Sequence, residues 1–174
     1  MKLAIASLLL VPAAAFVPGA KFAAPRSVLS MSTETEAETK AFAKLPASVK
    51  PGVVTGQALK DLLTDAKEKG YAIPGVNIVG TSSINACMEA AKKYGGPIMV
   101  TFSKGGGQFI AGKAADNTDD AASIAGCIAG AKHVREVAEL YGVPVVLHTD
   151  HCQKAWLPWI DGLMAANEEH FEQT

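Results

Sequence analysis

The chain has 174 residues, of which 49% are hydrophobic and 19% are charged. That length and that balance predict one globular domain. The formal net charge is −1, which excludes the strongly basic surface that nucleic-acid-binding proteins use. Cys87, Cys127 and Cys152 are far apart and form no C-x-x-C pattern, so the sequence indicates no disulfide framework.

The N-terminal segment predicts a targeting leader in two parts. Residues 1–15 contain Lys2, an apolar run and a stretch of small residues, the layout of a secretory signal peptide that is too short for a membrane span. Residues 16–31 lack acidic side chains but include Lys21 and Arg26, as transit peptides do. This layout is similar to leaders that direct proteins into the complex plastids of diatoms and related algae. We therefore expect the plastid (chloroplast) stroma, without membrane attachment after leader removal; plain secretion is the alternative.

Beyond the leader, residues 32–40 are polar, with three glutamates, and we predict a flexible linker over 32–47 that leads to a domain over 48–174. The first element of that domain is a predicted helix over 56–69. Its leucines recur at helical spacing, Thr55 is placed to cap its start, and Gly70 is placed to end it.

Strands and helices then alternate along the chain. The predicted elements are a buried strand over 72–78, a helix over 82–94, a strand over 97–102, a helix over 120–141, a strand that begins near Pro144 and a helix over 154–172. A loop is expected between the second strand and the helix after it. The alternation predicts an α/β fold with parallel strands, made of three β/α units after an N-terminal helix.

The third strand ends in a cluster of reactive side chains, namely His148, Asp150, His151 and Cys152. Neutral imidazole suits zinc, and a carboxylate beside the metal can act as a base. Each residue also has a structural alternative: a hydrogen-bonded histidine, an aspartate that caps a helix, or a small buried cysteine. Because titratable groups are costly to bury unpaired, we predict function for Asp150 and His151 and leave His148 open. For Cys152 we favour a buried apolar role over that of nucleophile or metal ligand.

Several motifs, in the same order, resemble the class II, zinc-dependent fructose-bisphosphate aldolases. They are PGVVTG at 51–56, VNIVGT at 76–81, SINA at 83–86, FIAGK at 109–113, VPVVLHTDHC at 143–152 and LPWIDG at 157–162. The resemblance covers about residues 48–174 and implies a (β/α)8 TIM barrel, of which about the first three β/α units are present. Because three units leave a barrel open, we expect a portion of a longer protein, inactive in isolation.

The resemblance also implies roles for residues at the carboxyl ends of the strands. It implies that Asp150 moves the proton, His151 is one zinc ligand, Ser103 contacts a substrate phosphate and Asn77 positions the sugar-phosphate substrate. The other histidine ligands belong to later strands. Lys104 stands where the family pattern has an uncharged polar residue; it could aid phosphate binding or be solvated, and we favour solvation. A homodimer is implied for the full-length protein.

Three alternatives concern the reaction. Lys113 could be the amine of a Schiff-base aldolase, but its polar surroundings predict an exposed loop. The protein could instead be a tagatose-bisphosphate aldolase of the same family. It could also be a non-catalytic, truncated half-barrel that binds a partner. His133 and His170 are expected at the surface, and Trp156 and Trp159 are expected to serve packing.

Overall fold

The structure, a computed structural model, describes residues 45–173. The predicted leader (1–31), most of the predicted linker (32–47) and Thr174 lie outside the described residues. The strands are β1 (Gly52–Val53), β2 (Gly75–Asn77), β3 (Ile98–Phe102) and β4 (Pro144–Thr149), and the helices are α1 (Gly56–Lys69), α2 (Thr81–Tyr94), α3 (Lys104–Ala111), α4 (Ala121–Tyr141) and α5 (Leu157–Gln173). Short 3₁₀ turns precede α4 (Thr118–Asp120) and α5 (Lys154–Trp156).

The strands form one parallel sheet in the order β1-β4-β3-β2. The helices α2 and α4 connect neighbouring parallel strands, as parallel pairing requires. The predicted α/β fold with helical crossovers is therefore confirmed. Strand β1 was not predicted, since its two residues are too short to show a periodic pattern; it hydrogen-bonds to the first half of β4.

Each side of the sheet packs against its own helices. On one side Val100, Phe102 and Val145 form a core with residues of α2, α4 and α5. On the other side Met99 and Val146 pack with Leu62 of α1. This division follows from the pleat, because successive residues of a strand point to opposite faces.

The helix ends match the predicted chemistry in part. Gly70 (φ 72°) and Gly95 (φ 74°) end α1 and α2 in the left-handed conformation, which glycine adopts at little cost. Thr55 occupies the N-cap of α1, but its side chain makes no capping hydrogen bond. Helix α5 was predicted to begin at residue 154 but begins at Leu157, because residues 154–156 form a 3₁₀ turn. Pro158 fits the first turn of α5, where the missing N–H of proline would have no partner within the helix.

Two expected elements differ from the prediction. The first strand covers three residues rather than 72–78, and it is exposed, with 38% of Val76 accessible, because β2 has one neighbouring strand within the described residues. The predicted loop after β3 contains helix α3. Its glycines serve packing: a Cβ at Gly107 or Gly126 would clash with backbone atoms of the facing helix, so α3 and α4 approach closely only because both lack side chains there.

Within residues 45–173, none of the helices combines the length and the apolar character needed to cross a membrane.

Candidate active site

Polar side chains form a row across three strands. Thr101 of β3 is in register with Asn77 of β2 and His148 of β4. Residues in register on neighbouring parallel strands point to the same face, so this row lies one layer beyond the apolar row of Gly75, Met99 and Val146. The sheet thus changes from apolar to polar toward the carboxyl ends of its strands.

Asp150 lies just beyond this row and is held by donors on both carboxylate oxygens. Oδ2 accepts a hydrogen bond from Asn77 Nδ2 at 2.8 Å, and Oδ1 accepts one from the His151 backbone N–H at 2.8 Å. The backbone N–H of Asp150 donates to the Phe102 carbonyl at 2.9 Å. The Asn77 hydrogen bond, followed by the His151 N–H, lowers the pKa of the Asp150 carboxyl, because both stabilise its ionised form. The structure therefore brings Asn77 and Asp150 together, although 73 residues separate them.

The two histidines differ in their surroundings. His151 is exposed and lies in a segment without regular structure directly after Asp150. His148 is also exposed, and its Nδ1 is 3.3 Å from the hydroxyl of buried Thr101. Cys152 is half-buried, with its thiol donating to the Gln153 carbonyl at 3.4 Å. Across residues 45–173 no three His, Cys, Asp or Glu side chains are grouped so that they could hold a metal ion. The residues described here do not form a metal site on their own.

Ser103 lies between the last residue of β3 and the first residue of α3, where it is the N-cap of α3. Its Oγ accepts a hydrogen bond from the Gly106 N–H at 3.0 Å, which caps the helix. Ser103 lines a cleft of about 380 Å³ together with Asp150 and His151. The remaining lining residues are Lys104, Gly105, Gln108, Asn117, Ser123 and Trp156. Three of the four predicted site residues thus share one cleft, and Asn77 adjoins it through Asp150.

Lys104 is not solvated, so that prediction was wrong. Its Nζ lies 2.7 Å from Asp120 Oδ1 and 5.3 Å from the centre of the Trp156 ring. The sequence carried no signal for this contact, because the three residues belong to separate segments. Trp156 lines the cleft, whereas Trp159 is fully buried, as predicted for packing.

Other predicted surface residues were placed as follows. His133 is half-buried rather than at the surface, because its Nε2 is 2.8 Å from Asn85 Oδ1 on α2. His170 is also half-buried and meets the Phe171 ring edge-on. Lys113 is exposed, as predicted, and donates to Gln108 at 2.9 Å. A Schiff-base lysine needs burial to lower its pKa, so the exposure of Lys113 argues against that role.

A larger groove of about 550 Å³ lies between α4, α5 and β4. It includes His148, but neither Ser103 nor Asp150 lines it. The smaller cleft is the better candidate for chemistry, because it holds the carboxylate, the imidazole and the hydroxyl together.

A parallel α/β sheet with polar groups gathered at the carboxyl ends of its strands is the arrangement of α/β enzymes, among them the TIM barrels. Comparison with known proteins identifies the family to which the chain belongs. A family model described as "Fructose-bisphosphate aldolase class-II" matches residues 57–173. The chain therefore belongs to the class II fructose-bisphosphate aldolase family.

Individual relatives agree with this assignment. The chain is 56% identical over 126 residues to the fructose-bisphosphate aldolase of Edwardsiella ictaluri and 54% identical over 127 residues to the fructose-bisphosphate aldolase class 2 of Escherichia coli strain K12. Each match covers 72% of this chain and 35% of the relative. A 1.85 Å crystal structure of the fructose-bisphosphate aldolase from Campylobacter jejuni is similar with a TM-score of 0.67 and 51% identity, over 71% of this chain and 34% of that chain. The chain thus spans about a third of the length of these relatives.

Proposed function

We propose that the protein containing this chain catalyses the reversible aldol cleavage of fructose 1,6-bisphosphate to dihydroxyacetone phosphate and glyceraldehyde 3-phosphate, a reaction of glycolysis, gluconeogenesis and the Calvin cycle. The observation that carries the proposal is the Asn77–Asp150 hydrogen bond beside the Ser103 cleft, in a chain of the class II family. Several relatives of this chain bear the name fructose-bisphosphate aldolase.

In this proposal Asp150 moves the proton. During cleavage the hydroxyl at C4 of the sugar loses its proton to the carboxylate, the bond between C3 and C4 breaks, and its electron pair forms an ene-diolate with the C2 carbonyl. Asp150 can accept the proton because its carboxylate is ionised near neutral pH, and both of its oxygens are oriented by hydrogen bonds from Asn77 and the His151 N–H. Asn77 donates a hydrogen bond to one oxygen of the Asp150 carboxylate, and this bond orients the carboxylate toward the substrate in the proposed reaction.

Ser103 would bind one substrate phosphate. Its hydroxyl proton is free for a phosphate oxygen while its Oγ accepts from Gly106, and the N-terminal end of α3 favours negative charge. Ser103 and Asp150 line the same cleft, so a phosphate held by Ser103 would lie near Asp150. Holding the phosphate in this way would keep the reacting carbons near the base.

The class II family is generally zinc-dependent, and we propose His151 as one ligand. Zinc sites in proteins use at least three protein ligands, and the described residues do not group that many. The remaining ligands would therefore come from outside residues 45–173. We expect the 174-residue chain alone to bind zinc weakly in a metal titration; tight, stoichiometric binding would contradict this.

The test is a steady-state assay of the whole protein on fructose 1,6-bisphosphate and on tagatose 1,6-bisphosphate. A higher kcat/KM for the fructose compound supports the proposal, and the reverse preference identifies the other enzyme of the family. No cleavage of either sugar by zinc-loaded protein would favour a non-catalytic binding protein. We also propose that the full-length protein is a homodimer, as the family resemblance implies, and mass measurement of the native protein tests this in the same preparation.

For localisation we propose the plastid stroma, which rests on the two-part composition of residues 1–31. A fluorescent protein fused after residue 47 and expressed in a diatom should accumulate inside the plastid. Removal of residues 16–31 alone should leave the fusion in the secretory route. Export of the intact fusion to the medium would instead support plain secretion.

A further inference from the structure

Lys104 lines the cleft and contacts two side chains there. It is the first residue of α3, and its ammonium pairs with Asp120 at 2.7 Å and faces the Trp156 ring at 5.3 Å. Only 22% of the Lys104 side chain and 18% of the Asp120 side chain are exposed. An ion pair shielded to this degree is screened less by salt than a surface pair, and the aromatic face adds a second attraction.

The three residues belong to three different segments around the cleft. Lys104 directly follows Ser103 at the end of β3, Asp120 precedes α4, and Trp156 ends the segment 150–156 that begins with Asp150. This segment has no regular structure over 151–153. At the start of segment 150–156, Asp150 is hydrogen-bonded to Asn77 and to the Phe102 carbonyl. At the end of the segment, the Trp156 ring contacts the Lys104 ammonium.

We propose that Lys104 is a positioning residue that fixes segment 150–156 against the start of α3. It thereby sets the distance between Ser103, which we assign to phosphate, and the Asp150–His151 pair. The Lys104 charge is already opposed by Asp120, so its role is to hold the segment rather than to bind phosphate directly. The proposal concerns this chain in particular, because the family resemblance predicts an uncharged residue at this position.

The first test is independent of the reaction. Hydrogen exchange of the amides in residues 151–156 is measured in the whole protein with Lys104→Met, Lys104→Arg and Lys113→Met. Lys113 is the matched control, because its ammonium also faces an aromatic ring, that of Phe109 at 5.4 Å, but it does not reach segment 150–156. We expect exchange about tenfold faster in Lys104→Met, within about threefold of the parent in Lys104→Arg, and unchanged in Lys113→Met.

Trp156→Leu provides a second variant if Lys104→Met does not fold. It removes the aromatic contact and leaves the ion pair with Asp120 in place, so exchange of residues 151–155 should again increase. Unchanged exchange in a folded Lys104→Met or Trp156→Leu protein would overturn the proposal.

The second test rests on the proposed aldolase function. In the zinc-loaded whole enzyme, Lys104→Met should lower kcat about tenfold with little change in KM, because the base is displaced relative to the bound sugar. Lys104→Arg should restore most of the loss. A raised KM with unchanged kcat would mean that Lys104 binds phosphate directly, and it would overturn the positioning role. If the parent protein cleaves no sugar bisphosphate, the proposed function fails, while the exchange measurement still decides the role of Lys104.

Discussion

The two halves of strand β4 differ sharply in what surrounds them. Pro144, Val145 and Val146 are buried, with Val145 in the core beneath α2, α4 and α5 and Val146 against α1. His148 and Thr149 are exposed and lead directly to Asp150. One strand therefore stabilises the fold with its first half and carries reactive groups with its second half. This is the division expected of parallel α/β folds, whose sites lie at the carboxyl ends of the strands.

The largest expected effect lies at the polar end. Asp150→Ala should lower turnover of the whole enzyme by about 10²–10⁴-fold, because it removes the group that we propose moves the proton. Zinc content should stay the same, and thermal unfolding should shift by less than about 4 °C. Asp61→Ala is the control, because Asp61, like Asp150, is a carboxylate with a hydrogen-bond donor on each oxygen, but it lies on α1. Loss of zinc from Asp150→Ala would show that Asp150 supports the metal site instead.

The apolar end should show the opposite pattern. Leu62 is fully buried beside Val146, so Leu62→Ala should lower the free energy of unfolding by about 2–5 kcal/mol through lost apolar contacts and a cavity. The neighbouring Leu63 is 45% exposed, and Leu63→Ala should cost less than about 1 kcal/mol. Urea denaturation measures both. Equal losses in the two variants would contradict the burial of α1 on this side of the sheet.

A smaller loss of stability is expected where α3 meets α4. A methyl group at Gly126 would overlap the Gly107 backbone, so Gly126→Ala should cost about 1–3 kcal/mol although alanine favours helices. Gly105, on α3, provides the control, because a Cβ atom added there would have no neighbouring atom within 4 Å. Gly105→Ala should therefore leave the urea midpoint unchanged or raise it slightly. A stabilised Gly126→Ala protein would show that the two helices do not approach this closely.

The smallest effect is a difference in thiol reactivity between the two regions. Burial raises the pKa of the Cys127 thiol to about 11 and also raises that of Cys87, so less thiolate is present at a given pH. Cys152, beside the cleft, is half-buried. Alkylation of the native protein at pH 8, followed by peptide mass spectrometry, should modify Cys152 first. Faster modification of Cys127 would mean that α4 opens readily.

Much of the fold could be predicted because it depends on local patterns. Helical spacing of apolar residues, the glycine at position 70 and the apolar run before His148 each report structure within a few residues. The alternation of those elements then predicted parallel strands, which the structure confirms. The two-residue strand β1 and helix α3 were missed, because one is too short for a pattern and the other contains three successive glycines, Gly105 to Gly107, that favour a loop by propensity.

The candidate site shows where local patterns stop being informative. Sequence reasoning found Asp150 and His151, because polar groups abruptly follow an apolar strand, and the family resemblance added Asn77 and Ser103. Their catalytic and binding roles remain predictions. Neither approach found Lys104 as a partner of Asp120, since that pairing depends on how α3 packs on α4.

By itself, the sequence determined the order of the elements, the faces that they bury and the end of β4 that carries reactive groups, because each is written in residues that are neighbours along the chain. Only the tertiary structure decided which distant residues meet. The Asn77–Asp150 hydrogen bond exists because parallel strands bring their carboxyl ends to one edge, and the Lys104–Asp120 ion pair exists because α3 packs on α4. The physical reason is that hydrogen bonds and ion pairs act over a few ångströms in space, whatever number of residues lies between the partners.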